Sequence, residues 1–212
     1  MEIVEKKADL AWKKVLKYVF ENGKDFTDRD NRICREILNV IISVSDYNSI
    51  SKPIEIINSF KKWVYPPFEE LETFILNRKE IPGYYYNYGA RAFNFNNSNQ
   101  VDNYVIPLLK KDPTSRRATI VFYNPEKDSS LFRKDTPAMI SMNFNIRDNK
   151  LNVFTFVRSN DLFFGWPANL YQTFILQKYV AYKLGCELGS ITTNSISAHI
   201  FEDQFEEIKK VI

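Results

Sequence analysis

Apolar positions near the start of the chain recur at helical spacing. In ADLAWKKVLKYVFEN, residues 8–22, Leu10, Ala11, Val15, Tyr18 and Val19 share one helical face, and Gly23 follows as a stop. The pattern then changes. REILNVIISV, residues 35–44, alternates imperfectly and is rich in β-branched residues, which predicts a strand. Residues 53–77 are helical again in two pieces. Pro53 can open the first, and FEELETFILN after Pro66-Pro67 forms the second. GYYYNYGARAFNFNNSNQ, 83–100, is rich in turn-forming and aromatic residues and reads as a functional or rim loop. NQVDNYVIPLLKKDP predicts a helix that ends before Pro113.

Three strands follow: ATIVFYN (118–124), AMISMNFNI (138–146) and LNVFTFVRS (151–159). Arg147-Asp148-Asn149-Lys150 suits a hairpin turn between the last two. Residues 167–184 return to helical spacing, closed by Gly185. ITTNSISAHIF is a final strand, and FEEIKKVI a short amphipathic tail. Helices come first, then strands, with one long helix inserted late. That order predicts an α+β fold: a single domain over 1–212, with a mixed, mostly antiparallel sheet flanked by helices.

Composition changes this picture little. With 17 Phe and 12 Tyr, the core should be aromatic-rich. A net charge of +3 gives no chain-wide case for nucleic acid, so a phosphate site would need a few local arginines. No apolar run is long enough to span a membrane, and MEIVEKKADLAWKK lacks an apolar signal core. The chain is therefore expected in the cytoplasm. Cys34 and Cys186 are far apart, and with the lone His199 they cannot supply the usual zinc ligand count.

Arginines near hydroxyls stand out at Thr27-Asp28-Arg29, at Thr114-Ser115-Arg116-Arg117, at Arg133 and at Arg158-Ser159. Arg suits forked phosphate recognition and Ser or Thr adds a donor, although a lone Arg is most often simply solvated. Arg116, Arg117 and Arg158 sit at the ends of predicted strands, where side chains are held rigidly. Asp161 and Asn169 flank Gly165-Trp166-Pro167. An Asn amide can read the amide edge of a base such as uracil. Either residue could equally cap a helix. His199, between Ala198 and Ile200, could be a ligand contact or a satisfied structural imidazole.

The order SRRA (115–118), PAM (137–139), RSNDLFFGWPAN (158–169) and SAHIF (197–201) resembles the thymidylate synthase family, which includes pyrimidine nucleotide hydroxymethylases. The likeness covers roughly residues 110–205 and reaches back more weakly to Asn22-Gly23 and Asp28-Arg29. It implies a pyrimidine nucleoside monophosphate as substrate. Arg29, Arg158 and Ser159 match positions that hold its phosphate. Arg116 and Arg117 match a pair that reaches the neighbouring subunit's site, which implies a homodimer. Asn169 matches the base-reading position, in the form associated with uracil. His199 matches a sugar-hydroxyl ligand, and Asp161 a carboxylate near the folate ring. Glu70 matches a Glu that organises proton transfer, and Tyr88, in a shared Tyr-Gly pair, a Tyr near the nucleophile. The carbon donor implied is methylene-tetrahydrofolate or a related pterin. In such chemistry a thiolate adds to C6, and C5 then attacks a one-carbon unit.

The chain departs from the family where the thiolate should be. Ala138 follows Pro137 in place of the nucleophilic Cys. Two accounts fit: a Cys→Ala replacement made to trap substrate, or a natural member that has lost or changed its chemistry. Retention of the phosphate- and base-reading positions favours the first. The second includes a nucleotide-binding or regulatory homologue, and a different chemistry using Glu70 or Asp161 on a bound nucleotide. Met139 replaces a frequent His, and Phe201 replaces the Tyr of an H-x-Y motif, which removes a hydroxyl from the sugar site. The sequence given stops at Ile212, soon after the His199 strand, which leaves the folate open as cofactor.

Overall fold

The structure is a computed structural model that describes residues 1–132 and 135–212. Arg133, singled out above, lies outside the described residues. Strands β1 (Glu2–Lys7), β2 (Lys24–Thr27), β3 (Ile33–Asp46), β4 (Thr119–Val121), β5 (Met139–Arg147), β6 (Lys150–Asp161) and β7 (Glu187–Phe201) form one sheet. Its order is β1-β3-β7-β6-β5-β4, with β2 also on β3. β1 runs parallel to β3, whereas β2–β3 and β4–β5 are antiparallel. The helices are α1 (Ala8–Asn22), α2 (Lys52–Ser59), α3 (Phe68–Leu76), α4 (Tyr88–Phe93), α5 (Ile106–Lys111), α6 (Pro125–Asp128), α7 (Gly165–Leu184) and α8 (Phe205–Val211). This is the expected α+β class with a mixed sheet. β1 and β2 went unread in the sequence, because their short polar-rich runs carry no clear alternation.

The chain divides into two compact units. The first comprises Met1–Tyr65, Val157–Tyr171 and Thr192–Ile212. Its core forms where α1 buries Ala8, Ala11, Trp12, Val15, Leu16 and Val19. Leu10 and Tyr18, expected on that face, are exposed. The buried stripe is centred one step round the helix, on Trp12, whose bulk gains most from burial. Gly23 closes α1 as expected, for a packing reason. A Cβ there would lie 2.6 Å from both the Arg35 Cγ and the Val19 carbonyl oxygen.

The second unit comprises Pro66–Phe156 and Gln172–Ile191. Phe122, Phe144, Leu109, Ile75 and Ile120 are fully buried in it. The 83–100 segment is not only loop, because it contains α4. Gly89 suggested a turn; it serves instead to let α4 approach closely, since a Cβ would sit 2.4 Å from the Asn77 carbonyl oxygen. The β5–β6 turn is as expected. Asp148 and Asn149 have φ of 50° and 58°, the left-handed pair that a two-residue hairpin requires. Gln177 of α7 donates to the carbonyls of Leu151 (2.7 Å) and Gly189 (3.2 Å), tying β6 to β7 through one amide. No helix among the described residues is long and apolar enough to cross a membrane.

One buried ion pair holds this unit's polar interior. Arg91 Nη2 donates to Asp128 Oδ1 at 3.0 Å, and Asp128 Oδ2 accepts from the Asn124 N–H at 2.7 Å. Asp128→Ala leaves a buried guanidinium without its counter-charge. The expected loss is about 3–5 kcal/mol in a denaturant titration. A loss below about 1 kcal/mol would show that the pair is not holding the unit together.

Candidate functional site

In the first unit, polar side chains gather where β6 ends. The chain turns through Leu162–Phe164 before α7 begins at Gly165. Leu162 and Phe163 are fully buried, which forces the turn's backbone to find partners inside the protein. The Leu162 N–H donates to the His199 carbonyl at 2.8 Å, and its carbonyl accepts the Trp12 indole N–H at 2.8 Å. The Phe163 ring lies 5.7 Å from Trp12 and 5.5 Å from Trp63, and Phe164 stacks on Tyr65 at 4.2 Å.

Asp161 completes the turn. Its Oδ1 accepts from the N–H groups of Phe163 (2.9 Å) and Phe164 (3.1 Å). Its Oδ2 accepts from Gln204 Nε2 at 3.1 Å, while Gln204 Oε1 accepts the Phe201 N–H at 2.9 Å. The capping role left open in the sequence is therefore real for Asp161. Burial pushes its carboxyl above the ordinary range, and the Phe164 N–H, the His199 ring, the Gln204 amide and the Phe163 N–H pull it back.

His199 is buried on β7, and burial holds it below its ordinary value of 6.5, against the pull of the Asp161 carboxylate. The imidazole is therefore neutral near pH 7. Its Nδ1 lies 3.4 Å from Ser197 Oγ, and Ser197 Oγ donates to Glu36 Oε1. The His199 ring meets Phe201 edge-on at 5.1 Å, and the Arg32 guanidinium sits 4.1 Å from the Phe201 ring centroid. Asp28 holds Arg32 with its Oδ2 at 2.9 Å from Nε and 2.8 Å from Nη2.

The other expected residues of this unit lie on the same strand, helix and loop. Arg29 is exposed on the loop between β2 and β3, with Nε 3.6 Å from Asp30. Arg158 is exposed and Ser159 half-buried near the end of β6, and Asn169 is half-buried in α7.

In the second unit, Tyr88 and Ala138 come together. The buried Tyr88 hydroxyl accepts the Met139 N–H at 3.1 Å. The Tyr86 ring meets the Tyr88 ring edge-on, with centroids 5.4 Å apart. Burial pushes both phenols up, so they are protonated at neutral pH. Tyr88, with Tyr86 beside it, is thus bonded to the residue next to the position where a nucleophile was expected. Glu70 is exposed in the first turn of α3, and Arg116 and Arg117 are exposed ahead of β4. Neither cysteine offers a substitute thiolate. Burial pushes Cys34 in the first unit to about 11 and also raises Cys186 in the second.

Arg32, Glu36, Ser197, Gln204 and Tyr86 escaped the sequence reading. Three signals were available. Arg32 follows Arg29 in one loop, Ser197 precedes His199 by the strand period of two, and Tyr86 sits in a run of tyrosines.

Comparison with known proteins shows the family. The chain belongs to the thymidylate synthase family, whose model, described as Thymidylate synthase, matches residues 31–212. It is 33% identical over 202 residues to a protein of Methanosarcina mazei, covering 95% of this chain and 90% of that one. A protein of Methanococcoides burtonii shows the same identity and coverage. One of Methanothermobacter thermautotrophicus is 30% identical over 211 residues, covering 95% of this chain and 94% of that one. Each bears the name "Putative thymidylate synthase". The matched span includes Arg32 and begins after Arg29.

The depressed His199 makes a pH prediction. Below about 6.5 the unfolded chain takes up the imidazole proton before the folded one does. Folding stability should therefore fall as the pH drops from about 7 to about 5.5. His199→Gln should flatten that fall in denaturant titrations at the two pH values. An equally steep fall in the variant would contradict a depressed His199.

Proposed function

We propose that this chain binds a pyrimidine nucleoside monophosphate, with uracil favoured and dUMP the preferred form. The scaffold is that of a C5 methyl- or hydroxymethyltransferase, spanning 1–212 as one thymidylate synthase-like domain. Arg29, Arg158 and Ser159 hold the phosphate, Asn169 reads the base edge, and His199 accepts from a sugar hydroxyl beside the Phe201 ring. The observation that carries this reading is that the motif residues Asp161 and His199 act on one another in one cluster, where Asp161 is held by the Phe163 and Phe164 N–H groups and by Gln204. Arg158 and Arg29, exposed cations, suit a dianionic phosphate.

A homodimer in which Arg116 and Arg117 reach the neighbouring subunit's phosphate accords with two features. Both side chains are exposed, and so are Ile33, Leu38 and Ile196 on strands of the first unit and Phe154 on β6 of the second. A cytoplasmic location suits a nucleotide substrate.

Methylene-tetrahydrofolate or a related pterin fits the carboxylate offered. Asp161 Oδ2 has a single donor in Gln204 and keeps acceptor capacity for a ring N–H. When bound, the folate supplies the one-carbon unit. The chain's own part would be to hold the ring at Asp161, organise protons through Glu70 and Tyr88, and orient the nucleotide.

The thiolate step has no agent here. Ala138 carries no nucleophile, and with Cys34 near 11 only about one thiol in ten thousand is ionised at pH 7. The chain as written therefore binds without transferring by that route. The same absence favours a second reading, a natural nucleotide-binding or regulatory member. A different chemistry on the same scaffold, with Glu70 or Asp161 as acid or base, would show as product formed from nucleotide alone.

Ala138→Cys tests the transferase reading. Tritium release from 5-tritiated dUMP, with or without methylene-tetrahydrofolate, is the expected outcome. No release from dUMP, dCMP, UMP or CMP would overturn it.

A further inference from the structure

His199 carries a hydrogen-bond chain that neither the family likeness nor the sequence pattern accounts for. Ser197 and His199 are two apart on β7 and so share a face of the strand. Glu36 lies on β3, which neighbours β7 in the sheet. Ser197 Oγ donates to Glu36 Oε1 and lies 3.4 Å from His199 Nδ1.

A serine hydroxyl has one proton and two lone pairs, and a carboxylate can only accept. The Ser197 proton is committed to Glu36. Ser197 Oγ can then meet Nδ1 only as an acceptor, so Nδ1 must carry the ring proton. In a neutral imidazole that leaves the lone pair on Nε2. No group among the described residues bonds Nε2. The charged and titratable groups that act on this ring are Asp161, Glu36 and Arg32, the Ser197 backbone also bonds it, and Cys34 lies within reach of the same carboxylates.

We propose that Glu36 and Ser197 are positioning residues that lock His199 in the Nδ1–H tautomer, making Nε2 an obligatory acceptor for a hydroxyl donor on the ligand. The tautomer lock stands on the hydrogen-bond chain alone. The identity of the donor, a free sugar hydroxyl, rests on the nucleotide reading above. Phe201 adds no polar group to that contact, so His199 alone would discriminate a hydroxylated sugar from a deoxygenated one. Phe201 itself offers the sugar no hydroxyl. The Glu36–Ser197 chain supplies a compensating constraint.

The test uses a convenience of this sequence, which has a single histidine. Untagged protein labelled with 15N-histidine gives one imidazole in a long-range 1H–15N correlation spectrum. At pH about 7.5 the native protein should show a protonated Nδ1 and an unprotonated Nε2. Ser197→Ala and Glu36→Gln should each populate the opposite tautomer, and Ser197→Thr, which keeps a hydroxyl, should restore the native form. An Nε2–H tautomer in the native protein would overturn the proposal, as would an Nδ1–H form that persists in both disruptive variants.

A second readout bears on the ligand. Native protein should prefer dUMP over its 2′,3′-dideoxy counterpart about tenfold, and Ser197→Ala should lose most of that preference. A native preference that persists undiminished in Ser197→Ala would contradict the lock's role in selection. If neither nucleotide binds, the nucleotide reading fails while the tautomer result still decides the lock.

Discussion

A half-buried carboxylate at the end of β6 is the constraint around which the first unit is arranged. Taking a carboxyl out of water is costly unless donors meet it, and here the Phe163 and Phe164 N–H groups and the Gln204 amide do so. Those bonds set the turn into α7. The turn in turn buries Phe163 against Trp12 and Trp63, and Trp12 closes it with an indole N–H. Gln204 spends its other atom on the Phe201 backbone, so the same carboxylate fixes the end of β7. His199 sits two residues before that end, neutral by burial, with Glu36 and Ser197 behind it. Removing Asp161 would therefore disturb packing, strand end and imidazole together.

The second unit presents a different balance. Tyr88 takes the Met139 N–H and packs against Tyr86, next to a residue 138 whose side chain is only a methyl group. Both phenols are held protonated, and so are the two thiols elsewhere, so none of these four groups supplies a nucleophilic anion. The family relationship covers the scaffold, and on the reading proposed above residue 138 separates binding from bond-making.

Much of the fold was legible in the sequence. The type of turn at Asp148-Asn149, the stop at Gly185 and the late strand through His199 all follow from local chemistry that acts within a few residues. β1 and β2 were not legible, since each owes its existence to pairing with β3 rather than to its own pattern. The face of α1 was misplaced by one step because periodicity alone does not weigh a Trp above a Leu. At the site, Asp161 and His199 were left with two readings each by their own residues, and only the order of motifs along the chain singled them out. Arg32, Glu36, Ser197, Gln204 and Tyr86 were not singled out, because each matters only through a neighbour that is distant in sequence or through a backbone group. Asp161 itself had two readings, cap and ligand contact. Its geometry supplies the first and leaves acceptor capacity for the second.

The central claim is that a nucleotide site persists in a chain without the family nucleophile. Calorimetric titration of dUMP into the native protein and into Arg158→Ala tests it most directly. One nucleotide bound per chain is expected, with affinity weakened by about 1.5–3 kcal/mol in the variant, the contribution of hydrogen bonds to a charged group. No binding to the native protein, or equal affinity in the two, would contradict the account.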